Sequence, residues 1–313
     1  MQLGLIGLGK MGGNMAERLR RAGHEVVGYD HHPGKRDVES LEELVDALST
    51  PRVVWVMVPA GEPTRATVED LAELLSAGDV IVEGGNSKYT DDQIHDVLCR
   101  EKGIGYIDAG VSGGVWGLEN GYALMVGGTP EDVAKAQPVF DALRPPAPHD
   151  ESGQALPGAG FVHAGPVGAG HFSKMVHNGI EYAMMQAYGE GYELLAAVDL
   201  IEDVPGVVKS WTQGTVIRSW LLDLLVKALQ EDPGLDKIRG YAADSGEGRW
   251  TVEQAIEHAV PMPAISASLF ARFASRQDDS PTMKAVAALR QQFGGHAVHA
   301  VEAAGSAEME SPA

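Results

Sequence analysis

Cysteine is nearly absent: Cys99 stands alone in 313 residues, so no intrachain disulfide can form, and a reducing compartment fits. Positive charge is scarce, with 24 Lys and Arg against 44 Asp and Glu and a net charge of −20. Nucleic acid and anionic membrane surfaces both require a basic footprint, so neither is an expected partner. Any anionic substrate has to meet cations placed locally. The apolar start, MQLGLIGLG, is too short to span a bilayer and lacks a basic leader, so a cytoplasmic protein without export or anchoring signal is expected. His296 and His299 have a possible metal spacing, but no carboxylate or cysteine clusters with them, and no metal is expected. What remains is 44% apolar residues in a chain long enough for two domains and a sizeable core.

The glycines are placed rather than scattered. QLGLIG reads as a buried strand, and Gly7, Gly9 and Gly12, with Leu8, Lys10 and Met11 between them, have the G-x-G-x-x-G spacing. A helix-like run over Asn14 to Arg21 follows, then a strand, HEVVGYD, that ends in Asp30. This is the context in which the spacing means dinucleotide binding. Glycines let the backbone approach a pyrophosphate at a helix N-terminus, and the acidic residue accepts from the adenosine ribose. A 2′-phosphate would be repelled by Asp30, and His31 and His32 follow it rather than an arginine, so NAD is expected over NADP.

Strand and helix signals then alternate. Ser40-x-x-Glu43 is a capping box, RVVWVMVP a strand, Pro63 to Leu75 a helix and DVIVEGG a strand. Thr90 and Gln93 make a second capping-box pattern before a helix to about Lys102; GYIDAG, VSGG and YALMVGG follow, and Thr129-Pro130 opens another helix. Repeated βαβ units predict an α/β fold, a doubly wound parallel sheet of Rossmann type. Ligands bind such sheets beyond the carboxyl ends of the strands. Val58, Pro59 and Ala60 fall there, as do Asn86 and the Ser112-Gly113-Gly114 turn. Ordinary loop chemistry would also use glycine-rich turns, but an Asn and a Ser among three of them favour a site.

The stretch from 144 to 160, RPPAPHDESGQALPGAG, breaks all periodicity and reads as a linker. A dinucleotide-binding domain over 1–163 and a helical domain over 164–300 are expected, with an acidic tail over 301–313 that lacks core-forming residues. Helices are predicted from Gly168 to about Val198, over Pro205 to Glu231, Val252 to His258, Ala264 to Arg276 and Pro281 to Phe293.

One of these helices carries the chemistry. In GAGHFSKMVHNGIEY, Lys174, His177, Asn178 and Glu181 share one helical face, while Met175, Val176, Ile180, Ala183, Met184 and Ala187 suggest a buried opposite side. A Lys and a Glu held together on a rigid element can divide the work of general base and general acid. A solvated polar stripe is the bland alternative. It accounts poorly for the Asn and His beside the Lys, or for Gly168, Ala169 and Gly170, which permit close approach at the helix start.

GLGKMGGNMA, VPAG, EGGNSKY, GVSGG and above all KMVHNGIEY resemble the decarboxylating 6-phosphogluconate dehydrogenases, and the similarity runs through nearly the whole chain. The chain is too short for the duplicated helical half of the long members, so it resembles the short, NAD-using branch. The resemblance implies NAD-dependent oxidative decarboxylation of 6-phosphogluconate to ribulose 5-phosphate. It makes Lys174 the base for the 3-hydroxyl proton and Glu181 the acid that protonates the enediol. It also implies that Asn86, Ser112, Gly113, Gly114, His177, Asn178 and Tyr182 hold the sugar acid, and that Arg272 of LFARFASR and Arg290 and His296 of RQQFGGH hold the phosphate and neighbouring oxygens. The last two match a tail that reaches into the neighbouring subunit, which implies a homodimer. In DSGEGRWT, Ser245 and Glu247 stand where the long enzymes carry a phosphate-binding Lys and a Thr. The alternatives are a hydroxyisobutyrate-type dehydrogenase, which would not need Glu181, and a non-catalytic NAD-binding protein.

Overall fold

The structure is a computed structural model and describes residues 1–147, 160–294 and 297–299. It divides into two compact units, one of residues Met1–Met185 with Ser245–Ile265, the other of Gln186–Asp244 with the described residues from Ser266 on. The division falls inside a long helix, whereas the composition shift lies near 163.

The first unit is built on β1 (Gln2–Ile6), β2 (Glu25–Tyr29), β3 (Val53–Val56), β4 (Val80–Glu83), β5 (Gly105–Ser112), β6 (Ala123–Gly127) and β7 (Phe161–Gly165), in the spatial order 2-1-3-4-5-6-7. Helices α1 (Lys10–Arg21), α2 (Leu41–Asp46), α3 (Glu62–Leu74), α4 (Tyr89–Glu101), the single turn α5 (Gly117–Asn120) and α6 (Pro130–Leu143) connect them. Strands β3 and β4 are buried at every position, as near-continuous Val and Ile runs require when both faces are covered. On one face Leu3, Leu5, Trp55 and Val82 pack with Met15, Leu19, Val139 and Phe140. On the other, Val54, Val56 and Ile81 pack with Leu44, Val68 and Leu71. The chain leaves β1 toward β2 on one side and β3 on the other, which puts the switch point at the carboxyl end of β1.

Two expectations about this unit are corrected. The sheet is not wholly parallel, because β6 runs antiparallel to β5. Residues 113–122 are too few for a parallel crossover, which needs a dozen or more, so the chain doubles back. Residues 161–165, FVHAG, for which no strand is predicted, form the edge strand β7. Thr90 is likewise no cap: α4 begins at Tyr89 with Lys88 before it and no side-chain cap. The caps at Ser40 and Thr129 form as expected, each accepting from the backbone three residues on.

Helix α7 (Ala169–Ala196) is followed by α8 (Val204–Ser210), α9 (Trp220–Glu231), α10 (Glu247–Glu257), α11 (Pro263–Ala274) and α12 (Pro281–Gly294). The single helix expected over 205–231 is two, separated by a turn in which Gly214 has φ +73. In the second unit Val208, Leu222, Val226 and Leu229 form a small core with Tyr188 and Tyr192. Tyr188 Oη donates to Ile217 O at 2.6 Å. No described helix is long and apolar enough to cross a membrane.

Candidate active site

The glycine fingerprint folds as its spacing demands. Gly7 has φ +89, and a Cβ on Gly12 would lie 1.9 Å from Gly7 O, so neither position admits a side chain. Gly9 caps α1 with no side-chain acceptor, and nothing would meet a Cβ there within 4 Å. The positive end of α1 is thus open to an anion. Asp30 is buried and accepts from Leu8 N and His32 N, both at 2.8 Å. Burial alone would raise its pKa, but the two backbone donors outweigh it and hold the carboxyl below its usual range.

A cavity of about 480 Å³ runs along the carboxyl ends of β1 to β4. Gly7, Gly9, Met11, Asp30, Val58, Pro59, Ala60 and Asn86 line it, as the sequence pattern predicts. Leu8 contributes its N–H to Asp30, Lys10 opens α1, and Gly12 packs the helix onto the strand. Lys35 and His31 also line the cavity. The donor set fits NAD: a bare helix N-terminus for the pyrophosphate, and an ionised acceptor for ribose hydroxyls.

Helix α7 is pinned to the sheet by Asp108 of β5, a residue that the sequence pattern did not single out. Its carboxylate accepts Gly168 N and His171 N, both at 2.7 Å, which satisfies the helix start and opposes its dipole. Gly170 is what lets the helix so close, since a Cβ there would meet Met125 O at 2.4 Å. Beneath the first turn, His171 Nδ1 lies 2.7 Å from Asp92 Oδ2 and 3.6 Å from Glu83 Oε2. All three side chains are buried. Burial would lower the His171 pKa, but the two carboxylates hold its imidazole protonated well above the usual range.

The predicted polar face is brought together. His177 Nδ1 lies 3.0 Å from Asn178 Oδ1, 3.5 Å from Lys174 Nζ and 3.8 Å from Glu181 Oε2, while its Nε2 lies 3.4 Å from Ser112 Oγ. With Nδ1–H donating to the Asn178 carbonyl, Nε2 is left to accept from the Ser112 hydroxyl. Gly113 and Gly114 form the turn immediately after, both with positive φ. Tyr182 Oη accepts Ser245 N at 3.0 Å and lies 3.2 Å from Ser245 Oγ, which ties the DSGEGRWT segment to α7.

The burial of α7 departs from expectation in part. Met175 is buried as expected, but so are Gly170, His171, Lys174, Gly179 and Tyr182, whereas Ile180 is 50% and Met184 37% exposed and Ala187 is exposed. Lys174 lies against Gly110 of β5, while His177 and Glu181 on the same face are 42% and 37% exposed. The Thr251 hydroxyl of α10 donates to Met175 O and Glu247 O, each 2.8 Å away, and Gly179 packs against Thr251. Burial therefore acts on Lys174 itself: desolvation lowers its pKa, opposed by the charges of Glu181 and Glu247.

Arg272 and Arg290 belong to the second unit, on α11 and α12; Arg272 Nη1 donates to Ala243 O at 2.9 Å, and Arg290 is exposed. His296 lies outside the described residues. Cys99 is buried within α4 and its thiol is pushed up to about 12, chiefly by burial, which leaves it unreactive. The fold and the cavity at the strand ends define a dinucleotide-dependent oxidoreductase, with a buried lysine on α7.

Residues 2–145 match the NAD binding domain of 6-phosphogluconate dehydrogenase, and residues 170–310 match the C-terminal domain of the same enzyme. An NAD(+)-dependent, decarboxylating 6-phosphogluconate dehydrogenase of Haloferax volcanii is 42% identical over 308 residues, covering 95% of this chain and 98% of that protein. Among solved structures, Plasmodium falciparum 6-phosphogluconate dehydrogenase aligns with a TM-score of 0.77 at 27% identity, over 94% of this chain and 65% of that one. A 3-hydroxyisobutyrate dehydrogenase of Mycobacterium tuberculosis shares the fold, with a TM-score of 0.67 at 22% identity, over 92% and 99% of the two chains. The chain belongs to the 6-phosphogluconate dehydrogenase family, and it is an NAD-dependent, decarboxylating oxidoreductase of the short form.

Proposed function

We propose that Lys174 is the base and Glu181 the acid in oxidative decarboxylation of 6-phosphogluconate to ribulose 5-phosphate and carbon dioxide. The observation that carries this reading is the buried Lys174 amine, which desolvation biases toward the neutral form that can take a hydroxyl proton. Bound NAD supplies the acceptor for the hydride from C3. Lys174 takes the 3-hydroxyl proton as that hydride leaves, then returns it to the same oxygen as carbon dioxide departs. Glu181, one helical repeat further along α7 and more exposed than Lys174, gives a proton to C1 of the enediol while Lys174 takes the proton from the C2 hydroxyl, which leaves the ketone. Asn86, Ser112, Gly113, Gly114, His177, Asn178 and Tyr182 hold the sugar acid, with His177 oriented by Ser112 and Asn178.

Arg272, Arg290 and His296 supply the cations that a chain of net charge −20 needs around a phosphate. Arg290 and His296 act from the partner protomer of a two-fold homodimer, in the cytoplasm; reciprocal exchange of tails is an isologous contact that closes on itself. Two measurements test these assignments. With NAD and 6-phosphogluconate, NADH and carbon dioxide should appear in equal amounts; NADH alone would favour the hydroxyisobutyrate-type alternative. Mixing Lys174→Ala with Arg290→Ala/His296→Ala should restore activity by making one intact site per mixed dimer. No recovery despite proven subunit exchange would exclude action in trans.

A further inference from the structure

The connection that follows Ser112 is held from outside itself. It runs through Gly113 and Gly114, both with positive φ, a 3₁₀ turn (Gly114–Trp116) and α5, a helix of four residues, too short to persist alone. Val115 and Trp116 are exposed, so little apolar burial fixes it. The contacts come from α1, where Asn14, Arg18 and Arg21, four and three residues apart, share one face and all reach across to it. Asn14 Nδ2 donates to Val115 O at 3.4 Å. Arg18 Nη1 donates to Leu118 O at 3.0 Å and Glu119 O at 3.4 Å, its Nε to Ala142 O and Leu143 O, each 3.1 Å away, and its Nη2 to Arg144 O at 2.9 Å. Arg21 pairs with Glu119 at 3.0 Å, but more than half of each side chain is exposed, and such a pair contributes little.

All five acceptors of the half-buried Arg18 guanidinium are main-chain carbonyl oxygens. Leu118 and Glu119 lie in α5, and Ala142, Leu143 and Arg144 close α6, so these are carbonyls that a helix end leaves without partners. A planar fork with five N–H groups suits such a set, whereas an ammonium offers no fork. The return of the connection is locked to the same place. Tyr122 N donates to Leu143 O at 2.9 Å, and a Cβ on Gly121 would meet Pro145 N at 2.4 Å. Gly113 rests on this return, since a Cβ there would come within 3.1 Å of Gly121 O. Arg18 thus closes a ring of contacts that leads back to Gly113. We propose that Arg18, assisted by Asn14, is a positioning residue that fixes the Ser112-Gly113-Gly114 turn and so sets where the sugar acid lies relative to the cofactor. The N-cap of α1, Gly9, lines the cofactor cavity, so one helix carries the pyrophosphate site at its start and the substrate turn along its side. The inference rests on the reading of Ser112, Gly113 and Gly114 as groups that hold the sugar acid.

The test uses the whole enzyme with NAD and 6-phosphogluconate, and two variants. Arg18→Lys keeps the charge and loses the fork, and Asn14→Ala removes the lesser contact. In Arg18→Lys the KM for 6-phosphogluconate should rise about tenfold and kcat should fall, because a small misplacement of a reacting group is costly. The Kd for NAD, read by titration calorimetry, should stay within about twofold of the parent's, since the Gly7-to-Gly12 turn keeps its own geometry. Asn14→Ala should move the same KM in the same direction by about threefold, with the same unmoved Kd. An unchanged KM in folded Arg18→Lys, or an NAD affinity that falls in step with it as general loosening of α1 would cause, would overturn the proposal. Should Arg18→Lys fail to fold, the same two outcomes in Asn14→Ala decide it. A Ser112→Ala enzyme with the parent's KM would instead remove the reading of this turn as a sugar-acid site.

Discussion

Two buried cations sit three residues apart on the first turns of α7, and they are treated oppositely. His171 is enclosed by Asp92 and Glu83, with an ion pair of 2.7 Å to the first. Lys174 has His177 Nδ1 at the hydrogen-bond limit of 3.5 Å, and Glu181 and Glu247 act on it only as neighbouring charges. The first is held charged and serves as an anchor. The second is pushed toward neutrality by burial, as the base proposed for it would require. One helix thus holds one buried cation charged and another pushed toward neutrality, according to whether carboxylates are packed in direct contact with it.

The sharpest way to break the contrast is at the reactive end. Lys174→Ala should lower kcat by about 10⁴-fold or more, the upper range for a positioned acid–base group, while leaving the melting temperature close to that of the parent. The measurement is single-turnover NADH formation beside a thermal melt; a large loss of stability would mean that Lys174 is structural. At the anchoring end His171→Ala should do the opposite in kind, destabilising by roughly 3–5 kcal/mol because Asp92 and Glu83 are left buried and uncompensated. Denaturant unfolding would show it, and a cost below about 1 kcal/mol would contradict the ion pair.

A third prediction concerns the cofactor end. Asp30→Asn with His31→Arg should move kcat/KM from NAD toward NADP by about 1–3 kcal/mol, since it removes a buried negative charge and adds a phosphate-binding cation. Equal use of both cofactors by the parent would remove Asp30 as the discriminating group. The smallest effect is the pH dependence of the anchor. His171 has a folded-state pKa raised to about 10, so its stabilisation is complete below its unfolded value near 6.5 and is lost as pH rises through about 10. The stability difference between parent and His171→Gln should therefore shrink steadily on the alkaline side. A difference that grew with pH would mean that His171 is neutral in the folded protein.

Local spacing made much of this legible. The G-x-G-x-x-G turn, Asp30 at the end of β2 and the shared face of Lys174, His177, Asn178 and Glu181 all follow from fixed offsets along the chain, and each is found where the offsets put it. Side-chain hydrophobicity misled where it was asked which face of α7 is buried. Ile180 and Met184 are apolar and outward, and Lys174 is polar and inward, because Gly170 and Gly179 admit β5 and α10 on the polar side. Asp108 was legible only as a lone acid inside an apolar strand, and Glu247 only as an acid in a glycine-flanked segment. Neither pattern says which helix end or which lysine the carboxylate will face. The reversal of β6 was in principle readable from the short connection after Ser112.

What the sequence determined by itself is therefore the set of local conformations and one-dimensional periods: which turn is bare enough for a phosphate, and which side chains ride together on one helix. These depend on interactions within a few residues, where backbone geometry leaves little choice. What only the tertiary structure decided is the charge state of the groups involved. A lysine is pushed toward neutrality, a histidine is held as a fixed cation and Glu247 becomes a carboxyl near neutrality through desolvation and through charges and contacts distant in sequence, the His171–Asp92 pair among them. Those energies are properties of packing and are set only when α7, α10 and the sheet have come together.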